Sequence, residues 1–424
     1  MFCERTISCF PLSHFNLDAD HPPKSHCAVR LWTKPLWPLI RLKKGRMLIF
    51  AAIVAIFISG MLAALLGTIL PNLSDRFRLT PAQNGTIALA QALGLMFASV
   101  AVGPLLDSEG YKIGLVLGLT FVAIALYALP ISPGFRSIVS LMLLLGVGGG
   151  VVLTSANALV SIISNTHRAT SLNLVNLFFG LGGLATPFIS ANLLKSNWVR
   201  LCYTVATLAV VALMVQTIPE MPSNAAGAGT FAIADLGRIL GHPLLFFLGL
   251  LLLLYMSCEA GVWNWLPRHL IAQGVPESRA LNILSLGFAL GLLIGRVGVS
   301  PILIHAPAVT VTLAASIAMV LTTSLLLHTT RPNVAFALSF IAGISMAPVF
   351  PTTVAIAGTA FPRNTGTAIG FVMTCGWVGM AVSSRLIGAI AGSDPSRLKR
   401  ALLLIPASAL LMIGVNLAIS SALH

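Results

Sequence analysis

The chain has 424 residues, of which 57% are hydrophobic and only 8% charged, with a mean hydropathy of +0.95. Soluble globular chains carry about 25% charged residues, so this one lacks the polar surface that water requires, and a soluble domain is excluded. The net charge of +14 does not point to nucleic acid either: eight of the 25 basic residues precede residue 47, and no polar domain presents a basic face.

Residues 1–46 are polar, proline-containing and aperiodic, and read as a disordered basic N-terminal tail. The basic stretch from Arg30 to Arg46 abuts an apolar helix, which suits a cytosolic flank beside anionic lipid. No small-residue cleavage pattern follows, so the tail is not a secretory signal. Met47 is an alternative start. Twelve apolar stretches come next: 47–70, 82–104, 112–130, 137–160, 170–194, 198–218, 243–266, 280–304, 307–328, 333–358, 365–391 and 398–420. Each is near the roughly 20 residues that cross about 30 Å of hydrocarbon as a helix.

The punctuation of these stretches repeats at an offset of 197. Gly94 meets Gly291, Pro104 meets Pro301, Gly146 meets Gly343, Ala158 meets Ala355, Thr170 meets Thr367 and Gly182 meets Gly379. A fixed internal period dictates architecture, and a parallel repeat in a membrane chain sets two bundles side by side with a seam at the midplane. The expected fold is an all-α membrane protein of twelve transmembrane helices in two pseudo-symmetric six-helix bundles. The bundles cover 47–218 and 243–424, and a cytoplasmic linker, 219–242, joins them. With the N-terminus inside, the inner connections beyond the tail add Lys112, Arg168, Arg238, Arg296 and Arg363, whereas the outer connections carry eleven basic residues. The short connections thus oppose the tail. The first helix usually dominates orientation, so both termini are placed on the cytoplasmic side of a plasma (cell inner) membrane.

Between the second and third stretches the chain reads Gly103-Pro-Leu-Leu-Asp107-Ser-Glu-Gly110-Tyr-Lys112. The glycines permit a tight turn, and Asp107 is suited to accept hydrogen bonds from a neighbouring helix end. An ordinary polar turn is the other reading. The pattern resembles the G-x-L-x-D-x-x-G-x-[RK] loop of the major facilitator superfamily, with Ser108 and Tyr111 where basic residues are common. That resemblance implies a gate at the inner face formed by Gly103, Asp107, Gly110 and Lys112. In the second half, the segment from Leu254 through Glu259, Trp263 and Asn264 to Pro267 is similar to the seventh helix of fucose-permease-like members, the sugar:proton symporter branch. Leu293–Arg296, Gly343–Thr352 and Phe361–Ala368 carry the same likeness. Sugar symporters of that branch are expected to use acids in the first and fourth helices. Here 47–70 and 137–160 hold no ionisable residue, and Asn157 is the strongest polar group of the fourth stretch.

Glu259 is the one carboxylate well inside a stretch. A central acid costs about 2.5–3.5 kcal/mol on insertion scales, which suits either a proton-coupling acid or a structural Glu that breaks the helix before Pro267. Trp263 follows at i+4 and Asn264 beside it, so an acid, an indole and an amide could hold a polyol. Asn173 and Asn176, three apart, read either as ligand amides or as interhelical glue. Gln83, Asn84 and Gln91 read as helix-end or packing residues. Arg385 is the second costly group and a candidate partner for Glu259, Trp377 is a candidate stacking ring, and Arg296 reads as an inner-face anchor.

The expected function is secondary transport of a small polar solute, a sugar or polyol, by alternating access, with the proton a candidate coupling ion at Glu259. The alternatives are an exporter of amphipathic compounds and a facilitative uniporter. No metal-ligand spacing, C-x-x-C or P-loop occurs, and the acids are too scattered for an enzyme. No cofactor, metal or nucleic acid is expected, and the partners are the solute and the bilayer, around a monomer.

Overall fold

The computed structural model describes residues 37–164, 166–222, 237–239, 241–391 and 395–423. The tail over 1–36 and most of the linker lie outside the described residues. Residues 44–424 form one compact unit. Among the described residues, twelve helices are long and apolar enough to cross a membrane: α1 Gly45–Phe77, α2 Ala82–Glu109, α3 Tyr111–Ile131, α4 Phe135–Ile163, α5 Arg168–Leu193, α6 Trp198–Thr217, α7 Pro243–Ala272, α8 Glu277–His305, α9 Ala308–His328, α10 Pro332–Ala360, α11 Thr365–Ala391 and α12 Arg397–Leu423. Among the described residues there is no strand. The first helix begins at Trp37, so 37–46, read from sequence as part of an unstructured tail, is helical.

Local chemistry sets several boundaries. Thr80 caps α2 by accepting from the Gln83 amide, while Gln83 Oε1 accepts from the Thr80 N–H, a capping box with Pro81 at the first position. Gly110, at φ 90°, separates α2 from α3 in a left-handed conformation that a side chain would strain. Pro348, lacking an N–H, breaks α10 into Pro332–Met346 and Val349–Ala360. A π-helical segment, Ile283–Ala289, lies inside α8. Its i→i+5 bonds insert residues into the turn and rotate the face that follows.

The repeat is a packing device. A methyl group on Gly146 would collide with the Gln91 carbonyl oxygen, and one on Gly343 with that of Phe288, 197 residues later in each case. Gly94 meets Leu143 O and Gly291 meets Phe340 O in the same way. Gly182 meets Phe57 O and Gly379 meets Leu253 O. In lipid, helices associate through close backbone approach, which only small residues allow. Gly343→Val should therefore push α8 from α10, where overpacking costs about 1–3 kcal/mol. The expected result is a lower Tm in detergent and a lower monodisperse yield; an unchanged Tm would show the contact to be dispensable.

Candidate functional site

Consecutive spans run in opposite directions, so the α2–α3, α4–α5, α8–α9 and α10–α11 connections share one end of the molecule. At that end the two halves are bonded together. Asp107 is half-buried at the end of α2. Its Oδ1 accepts from the Gly366 N–H (2.7 Å), and its Oδ2 accepts from the Thr367 N–H (2.8 Å) and hydroxyl (2.6 Å). Those amides are among the orphan donors of the α11 N-terminus, where the helix dipole favours an anion. The approach is close because Gly103 has no side chain: a Cβ there would lie 2.7 Å from Thr367 Cα. Lys112 Nζ donates to Thr217 O at the end of α6 (3.0 Å). Further bonds cross the same seam. Arg168 Nη1 donates to Thr359 Oγ1 (2.8 Å), Thr170 Oγ1 to Ser300 O (3.1 Å) and Asn173 Nδ2 to Thr352 Oγ1 (3.1 Å). This end is closed.

Above the seam is a cavity of about 510 Å³, within the range of small-molecule sites. Both halves line it, with residues from the middle of the spans and from the half of each span away from Asp107. Under the repeat offset, Glu259 in the cavity faces Leu62 or Ala63, which also line it, and Met256 faces Ser59. The internal symmetry axis thus passes through the cavity. Its floor is bonded across the seam: Trp377 Nε1 donates to Ser99 Oγ (3.2 Å) and Thr374 Oγ1 to Met96 O (3.1 Å).

Of the residues singled out in the sequence, Glu259, Trp263, Asn264, Asn176 and Trp377 line the cavity. Glu259 is half-buried, and among the described residues it forms no ion pair. Trp263 is 39% exposed and meets Phe288 edge-on, with centroids 5.5 Å apart. Asn264 donates to Ser384 Oγ (2.9 Å). Asn176 is buried and donates to Asn157 Oδ1 (2.7 Å).

Three others are placed elsewhere. Asn157 is fully buried within α4 and donates to Leu153 O, so its amide is spent on helix contacts. Asn173 turns to Thr352 rather than to the cavity. Arg385 is exposed and does not reach Glu259. The cation beside Glu259 is Arg296, read from sequence as an inner-face anchor. It is 5% exposed, lines the cavity, and lies within electrostatic reach of the Glu259 carboxylate. Arg296 Nη1 donates across the seam to Asn176 O, while Nε has no partner. Gln91, read as a packing residue, also lines the cavity, as does Ser59.

The sequence profile described as Major Facilitator Superfamily matches residues 52–419. The chain belongs to this superfamily. It is therefore a membrane transporter of the major facilitator fold and not an enzyme. Among curated proteins, it is 23% identical over 348 residues to the glucose/mannose transporter GlcP of Bacillus subtilis, a match covering 78% of this chain and 85% of GlcP. It is 28% identical over 173 residues to the 4-hydroxybenzoate transporter PcaK of Pseudomonas aeruginosa, covering 40% of this chain and 38% of PcaK. The crystal structure of FucP, a major facilitator superfamily transporter, in the outward conformation matches with a TM-score of 0.78 at 16% identity. That match covers 88% of this chain and 98% of FucP.

Proposed function

We propose that this major facilitator carries a small organic solute by alternating access, coupled to a proton through Glu259. The observation that supports it is the cavity itself. Both halves build it, the Asp107 end is closed beneath it, and Glu259 is the single acid among its lining residues. Rocking the halves would break the Asp107 and Arg168 bonds at one end and close the walls at the other. In this reading Glu259, Trp263, Asn264, Asn176 and Trp377 contact the solute or the proton. Asn157 and Asn173 brace the helices. Both termini lie in the cytoplasm of a cell whose plasma membrane holds the protein as a monomer.

Two solute classes compete. The relatives GlcP and FucP favour a sugar or polyol, for which Trp263 offers a ring face and Asn264 an amide. PcaK and the many aliphatic and aromatic lining residues favour a more amphipathic solute. Purified protein in liposomes should show saturable uptake that an inward proton gradient accelerates and drives above equilibrium. Saturable uptake indifferent to the gradient would overturn the coupling and leave a facilitative uniporter.

A further inference from the structure

We infer that the solute is an organic carboxylate with an apolar or aromatic body, and that Arg296 receives the carboxylate. The inference deepens the carrier reading and rests on it. Among the lining residues Arg296 is the one cation and Glu259 the one acid, and they form no ion pair. A guanidinium that is 5% exposed at the middle of a membrane span is costly unless something pairs it. Its Nη1 is held by Asn176 O, but its Nε is buried without a partner among the described residues. A guanidinium's donors form planar two-donor forks, the geometry that matches a carboxylate's two oxygens.

The walls specify the rest of the molecule. The uncharged polar side chains lining the cavity are Ser59, Gln91, Asn176 and Asn264 with the two indoles, and Asn264 and Trp377 are already bonded to the protein. A hexose would bring five hydroxyls to be satisfied, and each one buried without a partner costs roughly 1–3 kcal/mol. Leu62, Leu95, Phe179, Leu293, Phe350 and Met380 instead offer apolar contact.

Charge at the mouth agrees. The connections at the end away from Asp107 carry Arg76, Arg78, Arg136, Lys195, Arg200, Arg268, Arg279, Arg331, Arg397, Lys399 and Arg400, all exposed, against Asp75 and Glu277 among the described residues. A collar of one sign around a low-dielectric cleft concentrates ions of the other sign. The collar also gives a functional reason for basic residues on the connections that the tail's orientation places outside.

Glu259 and a bound carboxylate compete for one cation. A proton on Glu259 removes the rival and leaves a neutral pair, Arg296 with the solute, in the cavity. Titratable or charged groups facing Glu259 are Tyr255 of its own helix and Arg296 of α8.

The test uses the full chain in nanodiscs, with indole fluorescence of Trp263 and Trp377 reporting binding of benzoate, benzyl alcohol or glucose. Benzoate is expected to bind at least ten-fold more tightly than benzyl alcohol. Arg296→Gln should erase that preference, and Glu259→Gln should strengthen benzoate binding. If Arg296→Gln fails to fold, Arg296→Lys, which keeps the charge but loses the fork, should weaken benzoate several-fold and leave benzyl alcohol unchanged. Equal binding of benzoate and benzyl alcohol, or binding of glucose without benzoate, would overturn the inference. Liposome flux separates the two levels. Glucose accumulation without benzoate flux sinks the carboxylate and keeps the carrier. Benzoate binding at Arg296 with no flux of any solute keeps the carboxylate site and sinks the carrier.

Discussion

Asp107→Asn is expected to move the protein towards the conformer open at the Asp107 end. The carboxylate accepts three hydrogen bonds from the start of α11, and a bond to a charged group contributes about 1.5–3 kcal/mol net. The amide keeps the shape but turns one acceptor oxygen into an –NH2 that faces donors. Keeping part of the interaction still leaves a loss of about 2 kcal/mol, roughly thirty-fold in the ratio of the two conformers. Thr352, buried at the seam against Asn173, is a suitable reporter. In a background without the native cysteines, a cysteine at Thr352 should react with a maleimide about ten-fold or more faster when Asp107→Asn is present. An unchanged rate would mean that the bonds between Arg168 and Thr359 and between Thr170 and Ser300 hold the seam without Asp107.

The parts of the molecule legible in the sequence are those that depend on backbone approach and on turn chemistry. The glycine pairs at offset 197 announced contacts that the fold realises twice. Gly103, Asp107 and Gly110 announced a turn whose acid meets a helix end. Gln83, read as a helix-end or packing residue, does lie at a helix end, where it completes a capping box. Residue type alone carries that information, because only glycine permits the approach and only a few side chains cap a terminus.

The cavity was less legible because it depends on helix phase. The π-helical segment Ile283–Ala289 rotates the helix that follows it, and Arg296, two turns further on, faces the cavity rather than the membrane surface. No residue pattern marks such a segment. Asn173 and Asn176 do share one side of α5, yet that side spans the seam, so one amide serves α10 and the other donates to Asn157 of α4 at the cavity wall. Arg385 is exposed and lies outside the cavity lining, so its charge is met by solvent or lipid headgroups rather than by Glu259.

Glu259→Gln is expected to abolish proton-driven accumulation while solute exchange across the membrane continues. The amide preserves volume and can still donate and accept, but it cannot gain or lose a proton. Counterflow, which needs only binding and rocking, should stay within about three-fold of the wild type, because a glutamate and its amide share shape and most contacts. The steady accumulation ratio under an inward proton gradient should fall to about one, the value for passive equilibration. A rival explanation is that Glu259 merely offsets the Arg296 charge. The two differ in stability as well as in transport. An offsetting acid, when neutralised, leaves a lone buried cation, so Glu259→Gln would lower Tm and adding Arg296→Gln would restore it, a coupling that a double-mutant cycle measures. A coupling acid that must be neutral in part of the cycle is expected to show a smaller Tm deficit and a smaller coupling to Arg296 in that cycle. Retained accumulation in Glu259→Gln, together with a Tm deficit rescued by the second substitution, would assign Glu259 to charge balance and send the search for the coupling site elsewhere.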